Sequence, residues 1–304
     1  MDIYVIGHKN PDTDSVAGAI ALAEIMGYKP AICGPINRET AFVLERLGID
    51  APEILADISG KKIFLVDHNE NTQMAEGWEN AEIIGVIDHH KINFSSSAPV
   101  FFHAETLGST CSVIAKNYMN VVTNNPRLAK ILLAGILSDT IIFKSPTTTE
   151  EDKDIANTLA KVAGELDVLQ FGKEIKTAGA DISGKTVKEI IGADFKEFDM
   201  SGHRVGIGQV ELPDLSLIKD MEQAIITQLD EIKTDGYELV IMVATDIITE
   251  GSKLFFAGDP VIIQKAFGVV PEGRAIFVEG LMSRKKQVVP PLEEAFNSKE
   301  VRLP

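Results

Sequence analysis

The sequence lacks the features that mark membrane-spanning, secreted and nucleic-acid-coating proteins. It contains no apolar run near the roughly 20 residues that a helix needs to cross a bilayer. The stretch Met1–Gly7 is typical of a strand rather than of a signal peptide, and the only 2 cysteines, Cys33 and Cys111, lie far apart. We therefore expect reduced thiols and a cytoplasmic protein. The net charge of −16 disfavours binding to nucleic acid or anionic membrane, because both need a basic surface.

The length and the order of the apolar segments predict an α/β protein with two domains. At about 150 residues per domain, 304 residues suggest two. The apolar runs at 62–67 and 82–88 are typical of parallel strands that are covered on both faces. A polar stretch with glycines follows the first series of strands and helices. We therefore place the first domain at 1–180, a linker at 181–185 and a smaller domain with a mixed sheet at 186–304.

The periodicity of the apolar residues predicts the individual elements. In the first domain, strands are expected at 2–7, 29–33, 62–67 and 82–88, and helices at 16–26, 38–47, 109–120, 126–139, 150–161 and 173–178. In the second domain, a helix is expected at 215–234 and strands at 194–199, 203–211, 237–246, 253–257 and 274–278. Ser15 is expected to cap the first helix.

A histidine and two aspartates follow the first predicted strand within one short turn. His8, Asp12 and Asp14 lie between this strand and a helix, where ligands bind in open α/β sheets. An Asn-Pro-Asp turn with a capping serine is the structural alternative. That alternative explains neither the histidine nor the crowding of two carboxylates. Metal binding and a plain turn both remain open for this motif alone.

Three more segments place acidic or imidazole groups at the ends of apolar elements. Asp67-His68-Asn69 follows one predicted strand, Asp88-His89-His90 follows the next, and Asp139 ends an apolar helix. A single Asp at such a position usually forms a turn or lies exposed at a frayed end. Because the carboxyl ends of parallel strands share one edge of a sheet, the whole set instead predicts a metal centre.

The composition of this set indicates the kind of metal. It offers oxygen from aspartates, a minority of imidazole and no thiolate, which suits Mn²⁺ or Co²⁺ better than copper. Two such ions about 3.5–4 Å apart form the usual clamp for hydrolysis at phosphorus. The candidate ligands are His8, Asp12, Asp14, Asp67, His89 and Asp139.

The second domain contributes a basic segment in an otherwise acidic chain. Ser283-Arg284-Lys285-Lys286-Gln287 precedes Val-Val and a double proline that is expected to stiffen its exit, and Lys196 lies on an alternating strand. These cations suit the oxygens of a phosphate, although a solvated basic loop is the alternative. Gly108-Ser109-Thr110 could also present hydroxyl groups and backbone amides at the start of a helix. N-capping of that helix explains these residues equally well.

In this order, these motifs resemble those of the DHH phosphoesterase superfamily. The segment from Ser283 to Pro291, together with Asp194-Phe195-Lys196, looks like the signature of the manganese-dependent, family II inorganic pyrophosphatases. The resemblance covers essentially the whole chain. It implies an N-terminal parallel-sheet DHH domain, a smaller mixed-sheet α/β domain of the DHHA2 type, and an active site between them.

The resemblance also implies roles for the candidate residues. One ion would be held by His8, Asp12, Asp67 and Asp139, and the second by Asp14, Asp67, His89 and Asp139. The catalytic and phosphate-binding side chains would be Asp67, His90, Lys196, Arg284 and Lys285. The family further suggests Mg²⁺ that arrives with the substrate and a homodimer joined through the N-terminal domain. Only residues 70–87 separate two motifs between which some relatives carry a regulatory insert, so no adenine-nucleotide regulation is expected.

The leading hypothesis is therefore hydrolysis of pyrophosphate to two phosphates by a water that bridges two metal ions. A DHH nuclease or exopolyphosphatase would use the same metal centre on a longer anion. The charge of −16 and the lack of a Gly-Gly-Gly-His segment count against a nuclease. A third hypothesis is a protein that binds metal and phosphate without turnover. The full set of metal ligands and phosphate-binding cations argues against this hypothesis.

Overall fold

The computed structural model describes residues 2–180, 182 and 184–297. The chain divides into two compact units, Met1–Gly179 and Ala180–Pro304. Two residues of the predicted linker, Asp181 and Ser183, lie outside the described residues, as does the segment 298–304 of the predicted second domain. None of the helices in the described ranges combines the length and the apolarity that crossing a bilayer requires.

The first unit contains a parallel sheet of six strands in the order β3-β2-β1-β4-β5-β6. The strands are β1 Ile3–Ile6, β2 Lys29–Ile32, β3 Glu53–Ile54, β4 Lys62–Val66, β5 Glu82–Asp88 and β6 Phe101–Ala104. The predicted parallel sheet is confirmed, whereas β3 and β6 had not been assigned as strands. The strand order reverses between β1 and β4, and ligands of such sheets bind at that point.

The helices of the first unit follow the predicted pattern, except that the helix expected at 109–120 is divided into two at Tyr118 and that the cap of the first helix differs. They are α1 Thr13–Met26, α2 Arg38–Leu47, α3 Thr110–Asn117, α4 Met119–Val122, α5 Pro126–Asp139, α6 Glu150–Val162 and α7 Val168–Gly179. The prediction that Ser15 caps α1 is wrong. Asp12 has the extended backbone of a cap, and its Oδ1 accepts a hydrogen bond from the backbone N–H of Ser15 at 2.9 Å.

The second unit contains a mixed sheet of five strands in the order β11-β10-β9-β8-β7. The strands are β7 Phe195–Met200, β8 His203–Leu212, β9 Leu239–Asp246, β10 Gly251–Ala257 and β11 Ala275–Glu279. Only the pair of β8 and β9 is parallel. The helices are α8 Val187–Gly192, α9 Glu222–Lys233, α10 Pro260–Phe267 and α11 Val289–Asn297. The predicted mixed sheet is therefore confirmed.

One prediction for the second unit needs correction. The expected helix at 215–234 is a 3₁₀-helix over Leu215–Met221, followed by α9. The double proline Pro290–Pro291 lies in the first turn of α11, where a proline needs no hydrogen-bond partner for its nitrogen.

The core of the second unit consists of one apolar cluster on each face of its sheet. Strand β9 is buried along its whole length. Leu239 and Ile241 pack into the cluster that contains Phe296 of α11, whereas Val240 and Met242 pack into the cluster that contains Leu229 of α9. Alternate side chains of a strand point to opposite faces, so this continuous apolar run satisfies both layers.

The contact between β1 and α1 leaves no space for a side chain at Gly7. A Cβ at this position would overlap Oγ of Ser15, and it would lie 3.0 Å from Cβ and 3.2 Å from the backbone oxygen of the same residue. We expect Gly7→Ala to destabilise the metal-free protein by about 1–3 kcal/mol through overpacking. Gly34→Ala is the matched control, because nothing lies within 4 Å of the added methyl group. Urea denaturation of both variants tests this, and equal stability of the two would show that α1 can shift without cost.

Candidate metal centre

The candidate ligands of the first unit lie beside the carboxyl ends of three neighbouring strands. His8 follows β1, Asp67 follows β4 and His89 follows β5. These strands are adjacent and parallel, so their ends meet at one edge of the sheet. Asp12 caps α1 and Asp139 is the last residue of α5. The structure thus brings the candidate metal ligands of the sequence together in one place.

Asp67 lies in the middle of this cluster, because its two carboxylate oxygens face different histidines. Its Oδ2 is 3.4 Å from Nε2 of His8, and its Oδ1 is 3.5 Å from Nε2 of His89. The His8 nitrogen also lies 3.6 Å from Oδ2 of Asp12, and the His89 nitrogen lies 3.3 Å from Oδ2 of Asp139. One carboxylate therefore joins two sets of potential ligand atoms.

Hydrogen bonds at the opposite ring nitrogen orient both histidines. Nδ1 of His89 donates to the carbonyl of Leu107 at 3.0 Å, and Nδ1 of His8 donates to the carbonyl of Lys9 at 2.7 Å. When the rings are neutral, each Nε2 then carries the lone pair that a metal ion requires. Within the described residues, the buried Nε2 of His89 has no hydrogen-bond partner.

This donor set fits hard divalent cations such as Mn²⁺. Carboxylate oxygens with a minority of imidazole suit such ions, and a cation would give the buried nitrogen of His89 a partner. Three overlapping groups of side chains have ligand atoms within 4.8 Å of one another: His8, Asp12 and Asp67; Asp67, His89 and His90; and Asp14, His89 and Asp139.

Asp67 has a strained backbone conformation. Its φ of 63° lies in the left-handed region, which residues other than glycine rarely adopt. Its N–H donates to the carbonyl of Ile87 at 3.0 Å, and its Oδ1 accepts from the hydroxyl of Thr110 at 2.9 Å. Such strain persists only where the surroundings enforce it, and it is common at functional sites. The aspartate that faces both histidines is therefore held from its backbone and its side chain.

The N-terminus of α3 binds the carboxylate of Asp14. Oγ of Ser109 donates to its Oδ1 at 2.6 Å, and the backbone N–H of Thr110 donates to its Oδ2 at 2.7 Å. The positive end of the helix dipole stabilises the negative charge there. The predicted capping role of Ser109 is confirmed, because its side chain also accepts hydrogen bonds from backbone N–H groups of α3.

Asp88 supports the site although the sequence pattern gave it no individual role. Its carboxylate is fully buried and accepts hydrogen bonds from Nδ1 of His90 at 2.8 Å and from Nδ2 of Asn69 at 2.6 Å. These contacts fix the ring of His90, whose side chain is 53% exposed. In the sequence, Asp88 is recognisable only as an aspartate at the end of an apolar strand. That position does not reveal that its carboxylate points back into the fold.

The pKa values of the metal-free site show that it retains protons. Burial lowers the pKa of His8, but its contacts with Asp12 and Asp67 outweigh burial and raise it to about 11. The hydrogen bond to Asp88 raises the pKa of His90 to about 9 against the effect of burial. Burial, followed by the negative charges of nearby aspartates, raises the pKa of Asp139 to about 8. Protons thus offset part of the repulsion that metal cations would otherwise offset.

The basic candidates of the second unit line one cavity of about 780 Å³. Lys196 and Lys285 are exposed, whereas Arg284 is buried. The guanidinium of Arg284 donates to both carboxylate oxygens of Asp194 at 2.8 Å, and to the backbone carbonyls of Asp194 and Ile207. Most of its donors are therefore engaged within the unit, which the sequence did not predict. The phosphate-binding role of Arg284 stays a prediction.

The basic segment forms a fixed turn rather than a loose loop. Arg284–Val288 is a single π-helical turn, and Oγ of Ser283 accepts from a backbone N–H within it. Oε1 of Gln287 accepts hydrogen bonds from the N–H groups of Met282 and Ser283 at 2.9 and 3.0 Å. Turns of this kind occur frequently at functional sites. The turn presents Lys285 at the surface on a defined backbone.

Two family models match successive parts of the chain. Residues 2–136 match the family described as "DHH family, N-terminal domain", and residues 173–295 match the DHHA2 domain. The manganese-dependent inorganic pyrophosphatase of Methanocaldococcus jannaschii is 45% identical, over 97% of this chain and 99% of that protein. The chain belongs to the family of manganese-dependent inorganic pyrophosphatases. The member from Methanothrix thermoacetophila is 42% identical, over 97% of this chain and 98% of that protein.

Two solved structures have a fold similar to that of this chain. A Methanococcus jannaschii protein described as a family II inorganic pyrophosphatase matches with a TM-score of 0.60 and 45% identity, over 97% of this chain and 99% of the other. An exopolyphosphatase-related protein from Bacteroides fragilis matches with a TM-score of 0.52 and 13% identity, over 98% and 92%. The second match shows a shared fold alone.

The raised pKa values predict an unusual pH dependence for the metal-free protein. For His8, His90 and Asp139 the folded pKa lies above the unfolded value, so the folded state binds more protons and loses stability as the pH rises. We expect the free energy of unfolding to fall between about pH 5 and about pH 9, and the affinity for Mn²⁺ to rise over the same range.

Urea denaturation without metal and calorimetric titration with Mn²⁺ measure the two quantities. Asp139→Asn is the control for the denaturation series, because it removes the carboxyl group whose pKa is raised to about 8 and should flatten the fall in stability. Stability of the metal-free protein that rises with pH over this range would contradict the protonated state of the site.

Proposed function

We propose that this protein hydrolyses pyrophosphate to two phosphates with the help of two divalent cations. The observation that carries the proposal is the position of Asp67, whose two oxygens face His8 and His89 at 3.4 and 3.5 Å. Membership of the manganese-dependent inorganic pyrophosphatases supplies the substrate and the preferred metal. A carboxylate between two ligand sets is what a two-metal phosphoryl-transfer site requires.

The proposed ligands fall into two overlapping sets. When bound, the ions would lower the pKa of a water molecule and neutralise charge on the substrate. Manganese is the metal of the family, and Co²⁺ is proposed as an alternative because it suits the same donors. The first set is His8, Asp12, Asp67 and Asp139, and the second set is Asp14, Asp67, His89 and Asp139.

The remaining side chains bind and orient the anion. We assign contact with the phosphoryl oxygens to Lys196, Arg284 and Lys285, and a position near the leaving phosphate to His90. The hydrogen bond between Nδ1 of His90 and Asp88, at 2.8 Å, fixes the ring, and from this position a protonated Nε2 would donate to a phosphate oxygen. The three cations line one cavity of the second unit.

Further features of the proposal concern assembly and regulation. We propose domains at 1–180 and 186–304 with a linker at 181–185, with metal binding in the first domain and substrate binding in the second. Mg²⁺ would accompany the substrate because pyrophosphate carries a high charge. We also propose a cytoplasmic homodimer joined through the N-terminal domain. Residues 70–87 contain two short 3₁₀-helices and most of β5, which leaves no room for an inserted domain, so adenine-nucleotide regulation is not expected.

A panel of substrates tests the proposed function. Phosphate release is measured from pyrophosphate, long-chain polyphosphate and short oligonucleotides, each with Mn²⁺, Co²⁺ or Mg²⁺. We expect release from pyrophosphate alone, fastest after loading with Mn²⁺ or Co²⁺. Asp67→Asn, prepared in the same way, should lose this activity and so exclude a contaminating enzyme. Release from polyphosphate or oligonucleotides with pyrophosphate inert would move the protein to another activity of the DHH superfamily, and Mn²⁺ binding without turnover would indicate a binding protein.

Lys285 and Lys286 form a matched pair for testing substrate binding. Both are exposed in the same turn, but only Lys285 lines the cavity with Lys196 and Arg284. Loss of a charge-assisted hydrogen bond worth about 1.5–3 kcal/mol should lower kcat/KM by about 10–100-fold in Lys285→Ala. Lys286→Ala should retain the parent value, and both should bind Mn²⁺ as the parent does. Equal effects of the two substitutions would show a general effect of surface charge instead.

A further inference from the structure

A partly buried glutamate lies behind the metal centre and joins four segments of the first unit. Glu39 is in the first turn of α2, and its side chain is 12% exposed. Its Oε1 accepts hydrogen bonds from the hydroxyls of Thr13, at 2.9 Å, and of Ser138. Its Oε2 forms an ion pair with Nζ of Lys176 at 2.8 Å. Segments that are distant in the chain therefore meet at one carboxylate.

The two hydroxyl donors are direct neighbours of the proposed metal ligands. Thr13 lies between Asp12 and Asp14 at the start of α1, and Ser138 precedes Asp139 at the end of α5. A group that holds both hydroxyls therefore fixes the start of one helix against the end of the other. That separation determines how the carboxylates of the ligand sets face one another.

The ion pair between Glu39 and Lys176 connects α7 to the same carboxylate. Nζ of Lys176 also donates to the backbone carbonyl of Ser138 at 3.2 Å. At the end of the same helix, a Cβ at Gly179 would lie 2.8 Å from Oε2 of Glu39. The backbone of α7 thus approaches the carboxylate closely. Contacts on both oxygens leave Glu39 little freedom to move.

We propose that Glu39, paired with Lys176, is a positioning residue for the metal centre. Through Thr13 and Ser138 it holds Asp12, Asp14 and Asp139 at the spacing that two cations need. This inference rests on the proposed function for the identity of the ligands. Partners of this kind outside the ligand set orient the ligands and influence metal affinity strongly.

An ion pair between α1 and α5, the two helices whose hydroxyls contact Glu39, offers a matched control. Glu24 near the end of α1 accepts a hydrogen bond at 2.9 Å from Arg127 in the first turn of α5. This pair is more exposed and lies at the ends of the helices that are away from the ligands. Both substitutions replace a glutamate that contacts α5 by glutamine: Glu24→Gln at the far ends of α1 and α5, and Glu39→Gln, on α2, at their near ends.

Calorimetric titration of the metal-free protein with Mn²⁺, without substrate, is the deciding experiment. We expect Glu39→Gln to weaken Mn²⁺ binding by about 10–100-fold, and Glu24→Gln to stay within about twofold of the parent. Melting of the metal-free variants shows whether each is folded. Equal Mn²⁺ affinities of the two folded variants would overturn the proposal.

Two additional variants separate positioning from charge and keep the test open if Glu39→Gln does not fold. In Glu39→Gln/Lys176→Met the net charge of the pair is restored to zero, so recovery of parental affinity would reduce the effect to electrostatics and overturn the proposal. Continued weak binding supports positioning. Ser138→Ala removes one hydroxyl and no charge, and it should weaken Mn²⁺ binding by a smaller factor. Parental affinity in this variant would count against the proposal.

Failure of this inference is distinguishable from failure of the proposed function. A parent protein that hydrolyses pyrophosphate, with Glu39→Gln binding Mn²⁺ like Glu24→Gln, leaves the function intact and removes the positioning role. If the parent binds Mn²⁺ but hydrolyses no pyrophosphate, and Glu39→Gln binds Mn²⁺ more weakly, the positioning role stands and the proposed function falls. A parent without affinity for Mn²⁺ overturns both.

Discussion

Repulsion among buried carboxylates is the constraint on which the arrangement of the first unit depends. Asp14 and Asp12 raise the pKa values of both Asp67 and Asp139, in addition to the effect of burial. A fold stabilised only by packing would not gather such groups, because each buried charge opposes the others. Protons on His8 and His90 offset part of this repulsion without metal, and cations in the same place would offset more.

The parallel sheet makes this gathering possible at little cost to the core. Strands β1, β4 and β5 are buried apolar segments, and their polar residues are confined to the ends. Since the three strands are adjacent and run in one direction, each end delivers its side chain to the same edge. The strained backbone at Asp67 is the local cost of turning a carboxylate back into that edge.

The sequence predicted that these side chains gather because His8, Asp67 and His89 follow recognisable strands, and parallel strands leave only one edge where such ends can meet. It failed where a side chain acts on a distant segment. Arg284 pairs with Asp194, 90 positions earlier, and Glu39 contacts Ser138, 99 positions later. No local periodicity reports such contacts. The wrong cap at Ser15 has a local cause, since the sequence offered Asp12 as a metal ligand or a turn residue, whereas its side chain caps α1.

The two units differ in the sign of the charge that they collect, which bears on how so acidic a chain would bind an anion. In the first unit carboxylates gather, an arrangement that favours cations. In the second unit Lys196, Arg284 and Lys285 line one cavity, although Asp194 engages the guanidinium of Arg284 and lies 3.9 Å from Nζ of Lys196. Lys285 is exposed on the fixed π-helical turn. A lysine is a compact point charge on a flexible stem, so it can follow a phosphate group that moves. The proposed function therefore requires no basic surface, only a small fixed turn that displays a cation.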